Sequence, residues 1–238
     1  MASPVDPASA ESARSAVRLE VRCAVFRIGG GPAPELQVLL VDGESRRPDV
    51  DLAALPGGPI DASADLADTA LACLAEQAGV ADVAHLEQLE VFSAPDRVPG
   101  TRTVASTYLG LVRPSTPVNG GTWHSVRTLP PTVADHAEII AAARHRLAGK
   151  LSYTNIAFAL APAEFPMSEL SEIYGAALGY AVDTTNLLRI LSRRAVITAT
   201  GGVRRNGRGG GRPPALYRFT DSSLRVTDEF ATLRPPLM

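Results

Sequence analysis

Apolar and polar residues first fall into register at Val17, where VRLEVRCAVFRI alternates as a strand does. A second apolar run, LQVLLV at 36–41, follows a Gly/Pro turn. RPDVDLAALPGGPID reads as a loop ending in the Pro-Gly-Gly turn at 56–58. SADLADTALACLAEQAGV then predicts a helix filled by alanines and leucines, with Ser63 as cap and Gly79 as its left-handed stop. Strands are expected at 89–95 and 102–112, either side of the turn DRVPGT, and a helix at about 134–148 with Gly149 behind it. Strands with few helices, closed by a long one, predict a mixed α/β domain over 17–150.

The remainder follows another plan. LSYTNIAFALAPAEF reads as a linker-like helix, and MSELSEIYGAALG places Leu170, Ile173, Tyr174 and Ala177 on one helical face ending at Gly179. Asp183 can cap a further helix, TTNLLRILSRR, with Leu187, Ile190 and Leu191 inward and Thr185, Arg189, Ser192 and Arg193 outward. AVITAT and ALYRFT are short strand candidates around the loop GGVRRNGRGGGRPP. Helix, turn, helix and basic hairpin is the order of a winged helix-turn-helix, expected over 151–228. Residues 1–16, rich in Ala, Ser and Pro, read as a disordered arm, and 229–238 as a tail.

Charge sharpens that division. The 238 residues carry a net −2, yet residues 181–218 hold eight arginines against the single acid Asp183, a local +7 that leaves −9 elsewhere. A basic patch on an acidic body points to a polyanion at the patch alone. The bland alternative is a small helical cap with solvated arginines. It must then explain why they fall on the outer face of the second helix and in the wing loop, and not on the first helix. Two cysteines cannot build a disulfide framework, no segment approaches a membrane span, and the amino terminus has no secretory hydrophobic core. A cytoplasmic protein is expected.

Candidate chemistry lies at Gly57–Val80, which resembles a Nudix box, the loop-helix signature of enzymes cleaving nucleoside diphosphates linked to another group. The box reads Gly, five residues, Glu, seven residues, Arg-Glu-aliphatic-any-Glu-Glu-any-Gly-aliphatic. Gly58, Leu74, Gly79 and Val80 fall in place, whereas Ala64, Ala72, Cys73 and Gln77 stand where the Glu, Arg-Glu and second Glu belong. Glu76 alone remains of the helix carboxylates that would converge on Mg²⁺. Asp65 lies eleven residues earlier, roughly 16 Å along a helix and too far to share a metal. Metal-dependent hydrolysis is therefore not expected, nor any required metal or cofactor. His124 and His136 are not spaced as metal ligands and read as structural.

From Ala94 onward the chain resembles one branch of that superfamily, the Nudix-related transcriptional regulators of NAD metabolism (NrtR family). The stretches that carry it are PDRVPGTRTVASTYLGLV, DHAEIIAAARHRLAGKLSYTNIAFALAPAEFPMSELSEIYGAALG and GRPPALYRF. The resemblance implies an N-terminal Nudix-like α/β/α sandwich with a mixed sheet, followed by a winged helix-turn-helix. It also implies a repressor of NAD biosynthesis or salvage genes. Its sandwich would sense ADP-ribose or a related nucleotide, and a homodimer would read a palindromic operator in double-stranded DNA. Effector residues carried over are Gly57, Gly58, Glu76, Asp96, Arg97 and Arg102. Arg97 could instead form a surface ion pair, and Glu76 be a helix-face charge. Trp123 could stack on a base or anchor the core. DNA contacts fall to Thr184, Thr185, Asn186, Arg189, Arg193 and Arg194 on the second helix and to Arg204, Arg205, Arg208 and Arg212 in the wing. Alternatives of another class are a divergent ADP-ribose pyrophosphatase and a regulator that senses a sugar.

Overall fold

A computed structural model describes residues 17–30, 33–43, 51–204 and 213–228. The arm at 1–16, the tail at 229–238 and the wing residues Arg205, Arg208 and Arg212 lie outside the described residues. A mixed sheet forms the centre, in the order β3 (Leu52–Ala54), β2 (Glu35–Gly43), β1 (Arg18–Gly29), β6 (Thr103–Leu111), β5 (His85–Phe92). Two short strands join it, β4 (Gly57–Pro59) on β1 and β7 (Thr122–Ser125) on β2. β1 runs antiparallel to β2 and β4 but parallel to β6 over nine residue pairs, which makes the sheet mixed.

The alternation of β1 sets the layers. Val21, Cys23 and Val25 point to α1 (Leu66–Ala78) and pack with Ala70, Leu74 and Ala78. Ala24, Phe26 and Ile28 point to the other face, towards α2 (His136–Tyr153), and pack with Ile139, Ile140, Ala143 and Leu147. Both cysteines are free, and burial pushes the Cys23 thiol up to about 12.

Gly79 stops α1 as expected. Its φ of 65° is one that glycine adopts without strain, and it lets Val80 N–H reach back to Leu74 O. The start differs. Ser63 is not the cap, because its N–H and hydroxyl both bond Asp61 Oδ1 in the preceding turn, and the helix begins after Asp65. Nor does Gly149 end α2, which continues to Tyr153. The glycine's propensity cost of about 1 kcal/mol is outweighed by Leu147 and Leu151, buried on either side of it. The helix expected at 151–165 is instead the last turn of α2 and a short 3₁₀ turn at Ile156–Ala159. Thr154 makes the last ladder bond to Lys150 O through its N–H, adds its hydroxyl to the same oxygen, and turns extended, which ends the helix.

Beyond that turn lie β8 (Phe165–Pro166), α3 (Met167–Leu178), α4 (Thr184–Arg193), β9 (Ile197–Val203) and β10 (Ala215–Phe219). The three strands pair in the order β8-β10-β9. Leu170, Ile173, Tyr174 and Ala177 are buried on the expected face of α3, Gly179 is its left-handed C-cap, and Asp183 Oδ1 accepts from Asn186 N–H at the start of α4. The apolar cluster beneath α2 does not stop at the module boundary. Phe26, Ile28 and Leu36 of the sheet belong to the same buried cluster as Leu170, Tyr174, Leu187 and Leu191. α3 packs directly against β1, β2 and α2.

Candidate effector cavity and nucleic-acid interface

On the even-numbered face of β1, apolar side chains give way to charge at 22, 20 and 18. A cavity of about 930 Å³ opens there, among Arg18, Glu20, Arg22, Gly57, Gly58, Gln77, Val98, Pro99, Ala134 and His136. Gly57 approaches β1 so closely that an added Cβ would stand 2.1 Å from Val21 O, and its φ is +154°. Gln77 fixes the same peptide, accepting from Gly57 N–H and donating to Gly57 O, each at 2.9 Å. A glutamate there could make only the first of these bonds. One of the four residues that depart from the box is thus the one that closes this turn.

Charge in the wall is paired in series. Arg22 Nη2 donates to Glu20 Oε2 at 2.8 Å, and Arg97 Nη1 to Glu20 Oε1 at 2.8 Å. Arg97 also grips Asp135 with two parallel bonds of 2.8 and 2.7 Å. Burial works to raise the Glu20 carboxyl, but bonds and charges from Arg22 and Arg97 outweigh it and hold it below the usual carboxylate range. Burial likewise opposes the charge of Arg97, and Asp135 and Glu20 more than compensate. Burial, with Arg22 nearby, lowers His136 to about 4. Its neutral ring accepts Leu55 N–H on Nδ1 at 3.0 Å, which leaves the ring proton on Nε2.

Of the effector residues carried over from the resemblance, Gly57 and Gly58 line this cavity. Arg97 lies behind its wall with its side chain 1% exposed. Glu76 and Asp96 are exposed and outside the lining. Arg102 donates to Ser93 O and Ala94 O at the rim of the same loop. Sequence reasoning passed over Arg18, Glu20, Arg22 and Gln77 as site residues, although charge at alternate positions of RLEVR could have marked the first three. Mg²⁺ does not fit this donor set. Both Glu20 oxygens and both Gln77 amide atoms are engaged, and among the described residues no three Asp, Glu, His or Cys converge. Trp123 packs in the cluster beneath α1, with the Arg27 guanidinium 4.4 Å from its ring centroid.

The second surface is the outer face of α4. Thr185, Asn186, Arg189, Ser192 and Arg193 are exposed there, over buried Leu187 and Leu191. Arg189 donates to Asn186 Oδ1 at 2.7 Å. Thr184 is half-buried, its hydroxyl tied to Ser171 of α3 at 2.8 Å. Arg194 turns inward to Ser152 O and Asp228. Arg204, at the root of the wing, pairs with Glu169 at 2.7 Å. Arg218 of β10 is exposed and belongs to the same basic end.

A layered α/β/α sandwich whose closing helix leads into a winged helix defines a Nudix–winged-helix protein. The family model of the NrtR DNA-binding winged helix domain matches residues 157–219. The chain is 29% identical over 213 residues to the ADPR responsive transcriptional repressor NtrR of Acinetobacter baylyi, spanning 84% of this chain and 81% of that one. Shewanella oneidensis NrtR, in a crystal structure with a 27mer DNA, superposes with a TM-score of 0.72 at 29% identity, covering 85% of this chain and 93% of the other. A MutT/nudix family protein from Enterococcus faecalis shares the fold at 21% identity and a TM-score of 0.68, over 87% and 90% of the two chains. Over most of its length the chain is therefore similar to NrtR Nudix–winged-helix regulators, and residues 157–219 match the model of their DNA-binding domain. Among its described residues no helix is long and apolar enough to cross a membrane.

Proposed function

We propose that this chain is a transcriptional repressor of NAD biosynthesis or salvage genes, and that ADP-ribose or a related NAD-derived nucleotide bound in the cavity modulates its hold on DNA. The observation that carries the reading is one apolar core joining a cavity that presents arginines to a helix that presents arginines. A volume of about 930 Å³ falls at the roomy end of small-molecule sites, which run to roughly 1,000 Å³. Arg18 and Arg22 offer planar donor forks suited to a diphosphate, and the glycines at 57 and 58 let it approach backbone. Arg97 takes part from behind, by holding Glu20 and the wall in place, and Arg102 by holding the rim loop. Glu76 and Asp96 are assigned no contact.

The effector is bound and not cleaved, because the box positions that would gather a metal hold Ala64, Cys73 and Gln77 and Gln77 is committed to the turn. On DNA, Arg189 and Arg193 reach base edges or phosphate, with Thr185 and Asn186 beside them. The wing arginines grip phosphate, which positions without specifying sequence. A homodimer would match a palindromic operator.

The test passes sheared genomic DNA over the purified full chain, with and without ADP-ribose, and sequences what is retained. A few palindromic sites near NAD genes, lost in ADP-ribose, are expected. Sites indifferent to ADP-ribose would remove the effector. No discrete sites, together with Mg²⁺-dependent release of AMP from ADP-ribose, would replace the reading with a hydrolase.

A further inference from the structure

Resting on that reading, we infer that Arg97 and Asp135 are the positioning pair through which the cavity's occupancy reaches the DNA-reading module. The chain of contacts begins at Arg22. Among the described residues its Nη1 makes long 3.4 Å contacts to Leu55 O and Gly57 O, and its buried Nε has no partner. The bond to Glu20 is its one short attachment. A phosphate entering beside Arg22 competes with Glu20 for the same guanidinium. Glu20 is shared with Arg97, so any weakening on one side shifts the balance on the other.

Arg97 passes that balance to the start of α2. Three consecutive residues there are tied to the cavity. Ala134 lines it in a left-handed backbone conformation (φ 47°) that a non-glycine residue adopts uncommonly. Asp135 takes both bonds from Arg97, and His136 takes Leu55 N–H. A strained residue beside an ion pair is a local arrangement that an added anion can tip, the differential interaction a conformational response requires.

α2 then runs unbroken for 18 residues, about 27 Å. Its far end is bonded to what flanks the recognition surface. Arg194, the C-cap of α4, donates to Ser152 O at 2.9 Å. Thr227 N–H donates to Tyr153 O at 2.8 Å, and the Asn155 side chain bonds Ser223 O at 2.9 Å and Arg225 N–H at 2.6 Å. These last three follow β10, so a displacement entering α2 at Asp135 leaves it at α4 and at the segment that follows the strand returning from the wing.

Coupling of this kind is reciprocal: ADP-ribose weakens operator binding by the factor by which operator weakens ADP-ribose binding. The experiment measures both factors by titration calorimetry and operator-binding isotherms, for the full-length wild type and for Asp135→Asn, which keeps an acceptor for Arg97. Wild type is expected to show a factor on the order of 10–100 in both directions. Asp135→Asn should bind ADP-ribose in the absence of DNA within about threefold of wild type while both factors fall towards one. A merely structural role would lower the melting temperature and leave the factor alone. Arg97→Lys, which retains charge towards Glu20 but not the paired grip, answers the same question if Asp135→Asn does not fold. Either variant binding ADP-ribose and leaving the operator by the wild-type factor overturns the inference. A wild type that ADP-ribose does not release from DNA overturns instead the reading on which it rests.

Discussion

Arg97 and Arg193 carry the same guanidinium, and the fold treats them oppositely. Arg97 is enclosed, its guanidinium bonded to Glu20 and Asp135. Arg193 stands exposed in the last turn of α4 and makes no ion pair among the described residues. The first shapes the protein; the second remains open to a partner. Arg194 and Arg204 fall between these extremes. Each belongs to the basic segment, yet each has a partner within the chain, Asp228 and Glu169 respectively. A run of arginines in a sequence therefore states how much charge is present but not how much of it is available.

The contrast can be tested most severely at Arg97. Replacing it with alanine strands Asp135 and leaves Glu20 with Arg22 alone, and thermal or denaturant unfolding is expected to show a loss of about 3–5 kcal/mol. A loss below about 1 kcal/mol would mean that Glu20 and Asp135 find water instead, and the interior half of the comparison would fail. His136 probes the same wall by pH. Its folded value of about 4 lies below the ordinary 6.5. The unfolded chain therefore takes up the proton first. The contribution is complete above about pH 6.5 and is lost as pH falls towards 4, about 3 kcal/mol in all. His136→Asn, whose amide oxygen can take Leu55 N–H, should show a correspondingly flatter decline over that window. Equal slopes would place the acid sensitivity elsewhere.

At the exposed end, Arg189→Ala with Arg193→Ala should weaken operator binding about 100-fold or more while melting temperature and ADP-ribose affinity hold. Unchanged operator affinity would remove α4 as the reading helix. The smallest expected effect is at Gln77. Gln77→Glu sets a carboxylate against Gly57 O where an N–H now donates, at a cost of about 1–3 kcal/mol. A gain in Mg²⁺ affinity without loss of stability would show that this turn tolerates the box residue after all.

Local rules placed the winged-helix helices well, because their signals are contiguous. The face of α3, Gly179 and the Asp183 cap each depend on residues within about two turns of one another. The alanines and leucines that run up to Gly79 located α1 for the same reason. The site itself depends on contacts that sequence order hides. Arg97 meets Asp135 across 38 residues and Glu20 across 77, and Gln77 meets Gly57 across 20. No periodicity reports such pairs. Gly149 misled because helix propensity is a local quantity, whereas the leucines that carry α2 past it are held by a core assembled from distant strands.

The buried cluster that runs from Phe26 to Leu191 also bears on how such a protein can be inherited or rebuilt. A recombination event that exchanged the DNA-reading half near Thr154 would sever the surface of α3 from the strands it was selected to fit. The incoming half would meet Phe26, Ile28 and Leu36 with side chains shaped for another sheet. New operator preferences are accordingly expected to arise by point changes on the outer face of α4, with the inner faces drifting only in concert.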